Sequence, residues 1–256
     1  MKDDALPLHF QVMGHLYRRA FPFYRPLYFL YKRISDRPKL ALLDRLIRPG
    51  MVALDVGANI GFYASALSRC VGPVGHVHCF EPDQTNFTHL SRLASGLPNV
   101  TTNQCAVGLE GPGRVLVKSA ANVDHRLAAA ERAGNGHGGV DAVGVRVVSL
   151  DAYCDKLPRV DFIKMDIQGG EYEALCGLRR TLGRFPGLVI IMEYWPYGLR
   201  RAGVEPGAML ELIAQCGLRH APLDPHRRDF EQLDASDPHG YTDLLLWNGS
   251  SAGAVL

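Results

Sequence analysis

The sequence predicts an α/β fold: a mostly parallel seven-stranded sheet with an antiparallel last strand and helices on both faces. Short apolar runs alternate with helical patterns from about residue 51 onward, as they do around parallel sheets. Four of the apolar runs end in or beside an acid, and ligands bind beyond the carboxyl ends of such strands. The last two runs are joined without a helix, so the final strand is expected to run antiparallel to its neighbour.

The individual elements follow from local patterns. Helices are predicted where apolar residues recur at helical spacing and stop at Gly or Pro, and strands where short apolar runs lie between turn residues. The predicted helices cover residues 40–47, 60–70, 83–95, 171–182 and 206–216. The predicted strands cover residues 51–56, 75–80, 99–104, 160–167, 188–193, 218–223 and 241–247.

Two segments lie outside this alternation. Residues 1–40 form a basic, aromatic extension that is expected to be helical, with Pro22 and Pro26 separating short helices. The main domain is then expected over residues 41–250. Within it, the pattern changes over about residues 108–148, which indicates an insertion beyond a minimal strand–helix unit.

The composition is that of an ordinary globular domain, with 47% apolar residues, 21% charged residues and a net charge of +2. This balance gives no support for a nucleic-acid partner. The charge is uneven, because residues 1–48 carry ten Lys or Arg and four Asp or Glu. Neither a membrane span nor a signal peptide is predicted, so a cytoplasmic location is expected. The six cysteines form no C-x-x-C pair, so we expect no zinc site, no other metal site and no disulfide framework.

The run Ala53–Tyr63 carries the first functional signal. Gly57 and Gly61 stand four residues apart, and Asp55 precedes the first of them by two. A nicotinamide site usually has a third glycine between them, where the backbone approaches a pyrophosphate, but Asn59 stands there instead. We interpret these four residues as a cofactor loop for an adenosine compound without phosphates, with the acid holding the turn and accepting from the cofactor's ammonium, directly or through water. S-adenosylmethionine meets this description. The alternative is a turn with no ligand.

The next two strands end in groups that suit the rest of an adenosine. Glu81, followed by Pro82, can accept hydrogen bonds from both ribose hydroxyls. Asn103 and Gln104 end the third strand, where an amide could bind the adenine edge. The alternatives are a helix start for Glu81 and structural roles for the two amides.

A second signal lies in the run Asp161–Glu171. A buried strand that contains Lys164 and ends in Asp166 is costly unless the charges are paired. Asp166 is therefore a candidate for cofactor binding and for the general base that a hydroxyl acceptor needs. Glu171 begins the next helix, where it could pair with the lysine or complete the pocket. The alternative is a purely structural network of ion pairs.

His125 is a second candidate for the catalytic base. It lies in the predicted insertion, near the expected acceptor entrance, and follows Asp124, which could tune its pKa. The alternative is a solvated loop with incidental charges.

Taken together, the motifs Asp-Val-Gly-Ala-Asn-Ile-Gly, Glu-Pro and Ile-Lys-Met-Asp resemble the FkbM family of S-adenosylmethionine-dependent methyltransferases over roughly residues 45–215. The resemblance implies the class I methyltransferase (Rossmann-like) fold and O-methylation of hydroxyls on polyketides, sugars or glycolipids. It also implies that the glycine turn forms the cofactor loop, that Glu81 binds the ribose, and that Asp166 and Glu171 face the mouth of the active site. The chain has Gln168 where the family usually has Glu, so one charge is lost.

We therefore predict a methyltransferase that uses S-adenosylmethionine and acts on a small-molecule, glycan-linked or lipid-linked acceptor. A non-catalytic adenosine-binding protein of the same fold is an alternative that Gln168 leaves open. A nicotinamide oxidoreductase is a further alternative, which the missing glycine disfavours. For residues 1–40, three interpretations stand beside simple packing: a cap over the acceptor pocket, a homodimer contact, or a peripheral contact with an anionic membrane surface.

Overall fold

The computed structural model describes residues 8–112, 114–117, 126–129, 142–224, 226–227 and 229–248. The strands within these ranges are β1 (Val52–Val56), β2 (His76–Phe80), β3 (Val100–Asn103), β4 (Ala106–Val107), β5 (Arg114–Val117), β6 (Arg126–Ala129), β7 (Ala142–Gly144), β8 (Val147–Val148), β9 (Phe162–Met165), β10 (Val189–Tyr194), β11 (Leu218–Pro222) and β12 (Thr242–Asn248). The helices are α1 (Leu8–Arg19), α2 (Phe21–Ser35), α3 (Arg37–Leu46), α4 (Phe62–Val71), α5 (Gln84–Ala94), α6 (Leu150–Cys154), α7 (Glu171–Cys176), α8 (Arg179–Arg184), α9 (Pro196–Arg201) and α10 (Pro206–Gln215), with a 3₁₀ turn at Phe230–Gln232.

Seven strands form the main sheet in the order β11-β12-β10-β9-β1-β2-β3. Strand β1 pairs in parallel with β2 and β9, and β9 pairs in parallel with β10. Strand β12 is inserted between β10 and β11 and runs antiparallel to both. This topology confirms the predicted fold class, including the antiparallel last strand. It also brings the carboxyl ends of β1, β2, β9 and β10 to one edge of the sheet.

The core consists of two apolar layers, one on each face of the sheet, because successive strand residues point to opposite faces. In β1, Leu54 and Val56 pack into one layer and Ala53 into the other. Residues of helices α6–α10 cover the first layer, and residues of α3–α5 cover the second. Because both faces are covered, the central strands are apolar almost throughout, as the short apolar runs in the sequence indicate.

The N-terminal segment contains two long helices and differs from the sequence expectation at one proline. Pro22 lies in the first turn of α2, where its missing N–H is tolerated, but Pro26 lies inside the helix and does not end it. The buried Tyr24 anchors this part of α2 by packing with Tyr17 and Ile60. That packing offsets the single backbone hydrogen bond that a proline removes.

Two further boundaries differ from those predicted. The helix predicted over residues 171–182 is divided into α7 and α8, since Gly177 ends the first of them. Helix α3 begins at Arg37 and runs across the predicted domain boundary at residue 40, so that division stays a prediction. None of the described helices is long and apolar enough to cross a membrane.

The predicted insertion builds a small antiparallel sheet of its own, in the order β6-β5-β7. Arg114 of β5 forms an ion pair with Glu173 of α7, which fastens this sheet to the main domain. Strands β4 and β8 pair in parallel beside it. The remainder of the insertion, residues 113, 118–125 and 130–141, lies outside the described residues.

Candidate active site

A cleft of about 610 Å³ opens at the carboxyl ends of β1, β2, β9 and β10. Its floor is formed by the loops that follow these strands. Helix α2, the small sheet of the insertion and the segment before β12 form the walls. The polar and aromatic side chains in its lining are Tyr28, Tyr31, Lys32, Asn59, Phe62, Tyr63, Phe80, Glu81, Asn86, Lys164, Asp166, Gln168, Glu193, Trp195, Tyr197, Arg201, His239 and Tyr241.

The glycine turn forms one end of the cleft. Gly57 has a φ of +81°, and a Cβ there would lie 2.0 Å from the carbonyl oxygen of Asp166, so no larger residue fits without displacing the β9 end. Asn59 also adopts a left-handed conformation, with a φ of 49°. Gly61 has a φ of +94° and lies against Leu93 of α5, where a Cβ would be only 2.3 Å from that side chain. The turn is therefore fixed by close contacts on both sides.

Glu81 joins the glycine turn to the end of β2. Its carboxylate accepts hydrogen bonds from the backbone N–H groups of Asn59 and Asp83, each at 2.9 Å. The residue is 5% exposed and lines the cleft. Burial raises the pKa of Glu81 to about 7, against the lowering effect of the two N–H donors. Each oxygen keeps a lone pair beyond its backbone bond, which leaves the carboxylate able to accept two ligand hydroxyls.

Asp55 does not reach the cleft. It is fully buried within β1, and neither of its oxygens accepts a hydrogen bond from a described residue. Its partner is the ammonium of Lys164, 3.7 Å away, and burial raises its pKa to about 6. Of the predicted roles, this placement supports holding the turn: Lys164, the partner of Asp55, donates to the carbonyl of Gly57 at 3.3 Å. The buried carboxylate gives no support to a direct contact with a cofactor's ammonium, and the contact through water stays a prediction.

The two amides at the end of β3 also point away from the cleft. Asn103 donates to the Cys79 carbonyl at 3.0 Å and to the Tyr153 hydroxyl at 3.1 Å. Gln104 donates to the side chain of Gln84 at 2.8 Å. Neither lines the cleft, so the structure gives no support to their predicted contact with an adenine edge. The backbone turn they begin does reach the cleft, through the apolar residues Cys105, Ala106 and Val107.

Lys164 and Asp166 form a charged pair in the floor of the cleft, as the sequence predicts. The ammonium lies 3.4 Å from an Asp166 carboxylate oxygen and 5.0 Å from the centre of the Tyr63 ring. Burial would lower the pKa of Lys164, but the carboxylates of Asp166 and Asp55 outweigh it, so its pKa is raised. Burial would likewise raise the pKa of Asp166, but Lys164 holds it below its usual value. Both groups are therefore charged at neutral pH.

Gln168 and Glu193 complete the floor beside this pair. The Gln168 side-chain amide donates to Asp166 at 3.1 Å and lies 3.4 Å from a Glu193 carboxylate oxygen. Burial, followed by the negative charges of Asp166 and Glu171, raises the pKa of Glu193 well above its usual value. A neutral donor thus separates two carboxylates that would otherwise repel each other. The sequence marks Glu193 as an acid at a strand end, but only the fold brings it next to Asp166.

Glu171 has a structural placement. It is 1% exposed and does not line the cleft, and its carboxylate accepts from the backbone N–H groups of Ile167 and Gly169, both at 2.8 Å. Its predicted pairing with Lys164 is not formed. Gly169 has a φ of +96° and touches the backbone of Gly198, which explains a glycine at that point of the turn. Glu171 therefore holds the loop that carries Gln168, and its predicted place among the catalytic groups has no support here.

Several lining residues were not predicted from the sequence, and one predicted residue, His125, lies outside the described residues. His125 falls in the undescribed stretch 118–125. Tyr28 and Lys32 come from α2, and Leu116 and Leu127 come from the insertion, so both segments outside the strand–helix alternation contribute walls. A cap over the acceptor pocket was one interpretation of residues 1–40, and the insertion was expected near the acceptor entrance, but which individual residues line the cleft depends on how distant segments pack. Within the described residues, no cluster of three or more His, Cys, Asp or Glu could hold a metal.

Comparison with known proteins gives one match to a protein family. The family model of the methyltransferase FkbM domain matches residues 55–219, which is more than half of the chain. No protein of curated function matches the sequence.

Solved structures resemble the fold at low sequence identity. A putative rRNA methylase from Clostridium thermocellum has a TM-score of 0.49 and 12% identity, over 82% of this chain and 94% of that one. The methyltransferase FkbM from Methylobacillus flagellatus has a TM-score of 0.46 and 18% identity, over 93% of this chain and 58% of that one. Aeropyrum pernix fibrillarin, solved with natively bound S-adenosyl-L-methionine, has a TM-score of 0.45 and 17% identity, over 82% of this chain and 73% of that one.

Proposed function

The chain belongs to the methyltransferase FkbM domain family, and from this premise we propose that it transfers a methyl group from S-adenosylmethionine to a hydroxyl oxygen. The acceptor is a sugar, a glycolipid or a polyketide-type metabolite. One observation carries the proposal: the same cleft has a buried carboxylate suited to a ribose, Glu81, at one end and a carboxylate of raised pKa, Glu193, at the other.

The residues at the first end fit the cofactor. Glu81 offers two lone pairs to vicinal hydroxyls, and the turn from Gly57 to Gly61 leaves room where a side chain would intrude. Ala106 and Val107 give an apolar surface for a flat ring. The ionised carboxylate of Asp166 in the floor of the cleft would attract the positively charged end of the cofactor. When bound, S-adenosylmethionine supplies an electrophilic methyl group on a sulfonium centre.

Glu193 is the group best suited to take the proton of an acceptor hydroxyl. An efficient general base has a pKa near the working pH, and burial together with Asp166 raises the pKa of Glu193 in that direction. Asp166 is less suited, because its ion pair with Lys164 stabilises the ionised form and makes it a weak base. We therefore assign Asp166 to binding and Glu193 to proton removal. Gln168 holds both carboxylates in place through its amide.

The walls of the second end favour a polar ring-shaped acceptor. Tyr28, Trp195, Tyr197 and Tyr241 line it, and aromatic faces combine apolar contact with polar edges. These groups also restrict water around the reacting oxygen, which favours transfer over loss of the methyl group to solvent. Most of the gain in rate would come from this positioning of acceptor and donor.

Two variants test the assignment. We expect Glu193→Gln to lower methyl transfer by about 10²- to 10⁴-fold, the usual contribution of a general base, while S-adenosylhomocysteine binds as before. The matched control is His239→Gln, which replaces the histidine in the described lining and should retain most of the activity. If His239→Gln removes activity and Glu193→Gln does not, the base assignment is wrong.

Calorimetry separates the alternative functions. The methyltransferase binds S-adenosylhomocysteine and not NAD, and the family assignment favours this outcome over an oxidoreductase. A non-catalytic binding protein would bind S-adenosylhomocysteine and form no methylated product with any acceptor.

A further inference from the structure

Helix α2 exposes an apolar stripe on the surface of the protein. The exposed fractions include 69% for Phe23 and 70% for Ile34, which are high for such large apolar side chains. The stripe residues recur at the three- and four-residue spacing that places side chains on one face of a helix. The members of this stripe are Phe23, Leu27, Leu30, Tyr31 and Ile34.

The stripe is not the face by which α2 holds to the domain. Tyr24, which flanks the stripe, is buried, and Tyr17 of α1, which packs against it, donates to the side chain of Asn86 at 2.5 Å. The helix is thus anchored without its stripe. A contiguous apolar surface with no role in holding the fold marks an interaction site.

The charged residues of α1 and α2 are all basic, and Asp36, directly after α2, forms an ion pair with one of them, Lys32. Between residues 8 and 35 the sequence contains five Lys or Arg and no Asp or Glu. Arg18, Arg19, Arg25 and Arg33 are exposed. An apolar stripe on a basic helix is the pattern of helices that lie in the interface of an anionic membrane.

We propose that α2 docks on the surface of a lipid bilayer that contains anionic lipids, with the stripe in the headgroup region and the arginines against lipid phosphates. The helix has 15 residues, fewer than the about 20 that span a bilayer, so it lies on the membrane. Two copies of the chain joined through their stripes would bring the basic residues of both together, which disfavours a homodimer. A nucleic acid would engage the arginines and leave the stripe in water.

The same helix connects the bilayer to the cleft. Tyr31 belongs to the stripe and also lines the cleft, and Tyr28 and Lys32 line it from the adjoining positions. A docked α2 therefore places the mouth of the cleft at the membrane surface. This step rests on the proposed function: among the proposed acceptors, it selects those carried by a lipid.

Sedimentation with vesicles tests the docking without reference to methyl transfer. The full chain is mixed with vesicles of phosphatidylcholine, with or without phosphatidylglycerol. We expect binding only with phosphatidylglycerol, and weaker binding at high salt because salt screens the arginines. The variant with Phe23→Gln, Leu27→Gln, Leu30→Gln and Ile34→Gln should bind at least about tenfold more weakly, since interfacial binding scales with buried apolar area. Arg25→Gln with Arg33→Gln should bind more weakly as well.

The controls keep failure of docking separate from failure of folding or of the proposed function. Val74→Gln changes a side chain that is 80% exposed elsewhere on the surface and should leave vesicle binding unchanged. Affinity for S-adenosylhomocysteine reports the fold and the cofactor site, and it should be equal in all variants. Vesicle binding that is absent, or that the stripe variant retains, would overturn the docking proposal. The docking proposal would also be overturned if the natural chain formed a dimer in solution and the stripe variant were a monomer.

Discussion

Replacing Glu81 by Gln changes one atom at the point where the glycine turn, the end of β2 and the cleft meet. The natural carboxylate accepts from two backbone N–H groups at 2.9 Å and keeps one lone pair on each oxygen for a ligand. Gln has a single acceptor oxygen, so its NH₂ group must face either the N–H of Asn59 or that of Asp83. The substitution therefore acts on the folded state and on the bound ligand separately.

The two effects have comparable sizes. One buried N–H loses its acceptor, which costs about 1–3 kcal/mol of stability, and a ribose hydroxyl loses a charged acceptor, which is worth about 1.5–3 kcal/mol. Since about 1.4 kcal/mol corresponds to a factor of ten in affinity, the Kd for S-adenosylhomocysteine should rise roughly ten- to hundredfold. Calorimetry at pH 8, where the natural carboxylate is ionised, measures the Kd, and urea unfolding measures the stability.

Glu171→Gln is a matched control. Glu171 is also buried, also accepts from two backbone N–H groups, at 2.8 Å, and also has a pKa raised to about 7 by burial, but it does not line the cleft. We expect a similar loss of stability and a change in Kd of less than about threefold, because only the loss of a ligand contact, at about 1.5–3 kcal/mol, lowers affinity directly. If Glu81→Gln leaves the Kd unchanged, or if both variants weaken binding equally, Glu81 does not contact the ligand.

Three further predictions follow from the same geometry. The pKa of Glu81 is raised to about 7, and a ligand hydroxyl favours its ionised form, so affinity for S-adenosylhomocysteine should fall by up to about tenfold per pH unit below 7 and level off above it. Binding titrations from about pH 5.5 to about pH 8.5, roughly one to two units either side of the pKa, check this, and a flat profile contradicts it. Lys164→Met leaves the carboxylates of Asp55 and Asp166 without their cation, so it should lower the free energy of unfolding in urea by about 3–5 kcal/mol at pH 8. The loss should be smaller at acidic pH, where the carboxylates are protonated, and equal losses at both pH values would argue against the pairing. Gly57→Ala places a Cβ against the backbone of Asp166 and should abolish ligand binding or folding. As a control, Gly183→Ala places its Cβ where no other atom lies within 4 Å, so this variant should unfold at the same urea concentration as the natural chain or at a slightly higher one. A Gly57→Ala protein that binds normally would contradict the turn geometry.

The fold could be predicted because its signals are local. Most strands of the main sheet, with the more polar edge strands β3 and β11 as exceptions, are short apolar runs between turn residues, and the missing α-helix before β12 is enough to indicate its direction. The tight turn could be predicted from Gly57 and Gly61, because glycine is the residue that such turns require, and in the structure both have positive φ values and close neighbours. Pro26 was placed wrongly as a helix end, because the buried Tyr24 that holds α2 together is a tertiary contact.

The site was less accessible from sequence, because a residue at the end of a strand can point in several directions. Asn103 and Gln104 lie at the expected strand end but bind partners away from the cleft, and Asp55 is buried beneath it, against Lys164. Glu193 shares the sequence signal of Asp55, and only the pairing of β10 with β9 brings it beside Asp166. A contribution of α2 to the cleft was one of the interpretations of residues 1–40, but which of its side chains line the cleft depends on packing across the whole domain.

Transfer of labelled methyl from S-adenosylmethionine into a fractionated extract of the source cells tests the proposed O-methylation. We expect a labelled product whose label withstands mild base, as an ether does, and which carries the methyl on a former hydroxyl by mass spectrometry. Most of the label should lie in the lipid-containing fraction, and none should form with Glu81→Ala. A protein that binds S-adenosylhomocysteine but labels nothing, or that labels nitrogen or carbon, would contradict the proposed O-methylation.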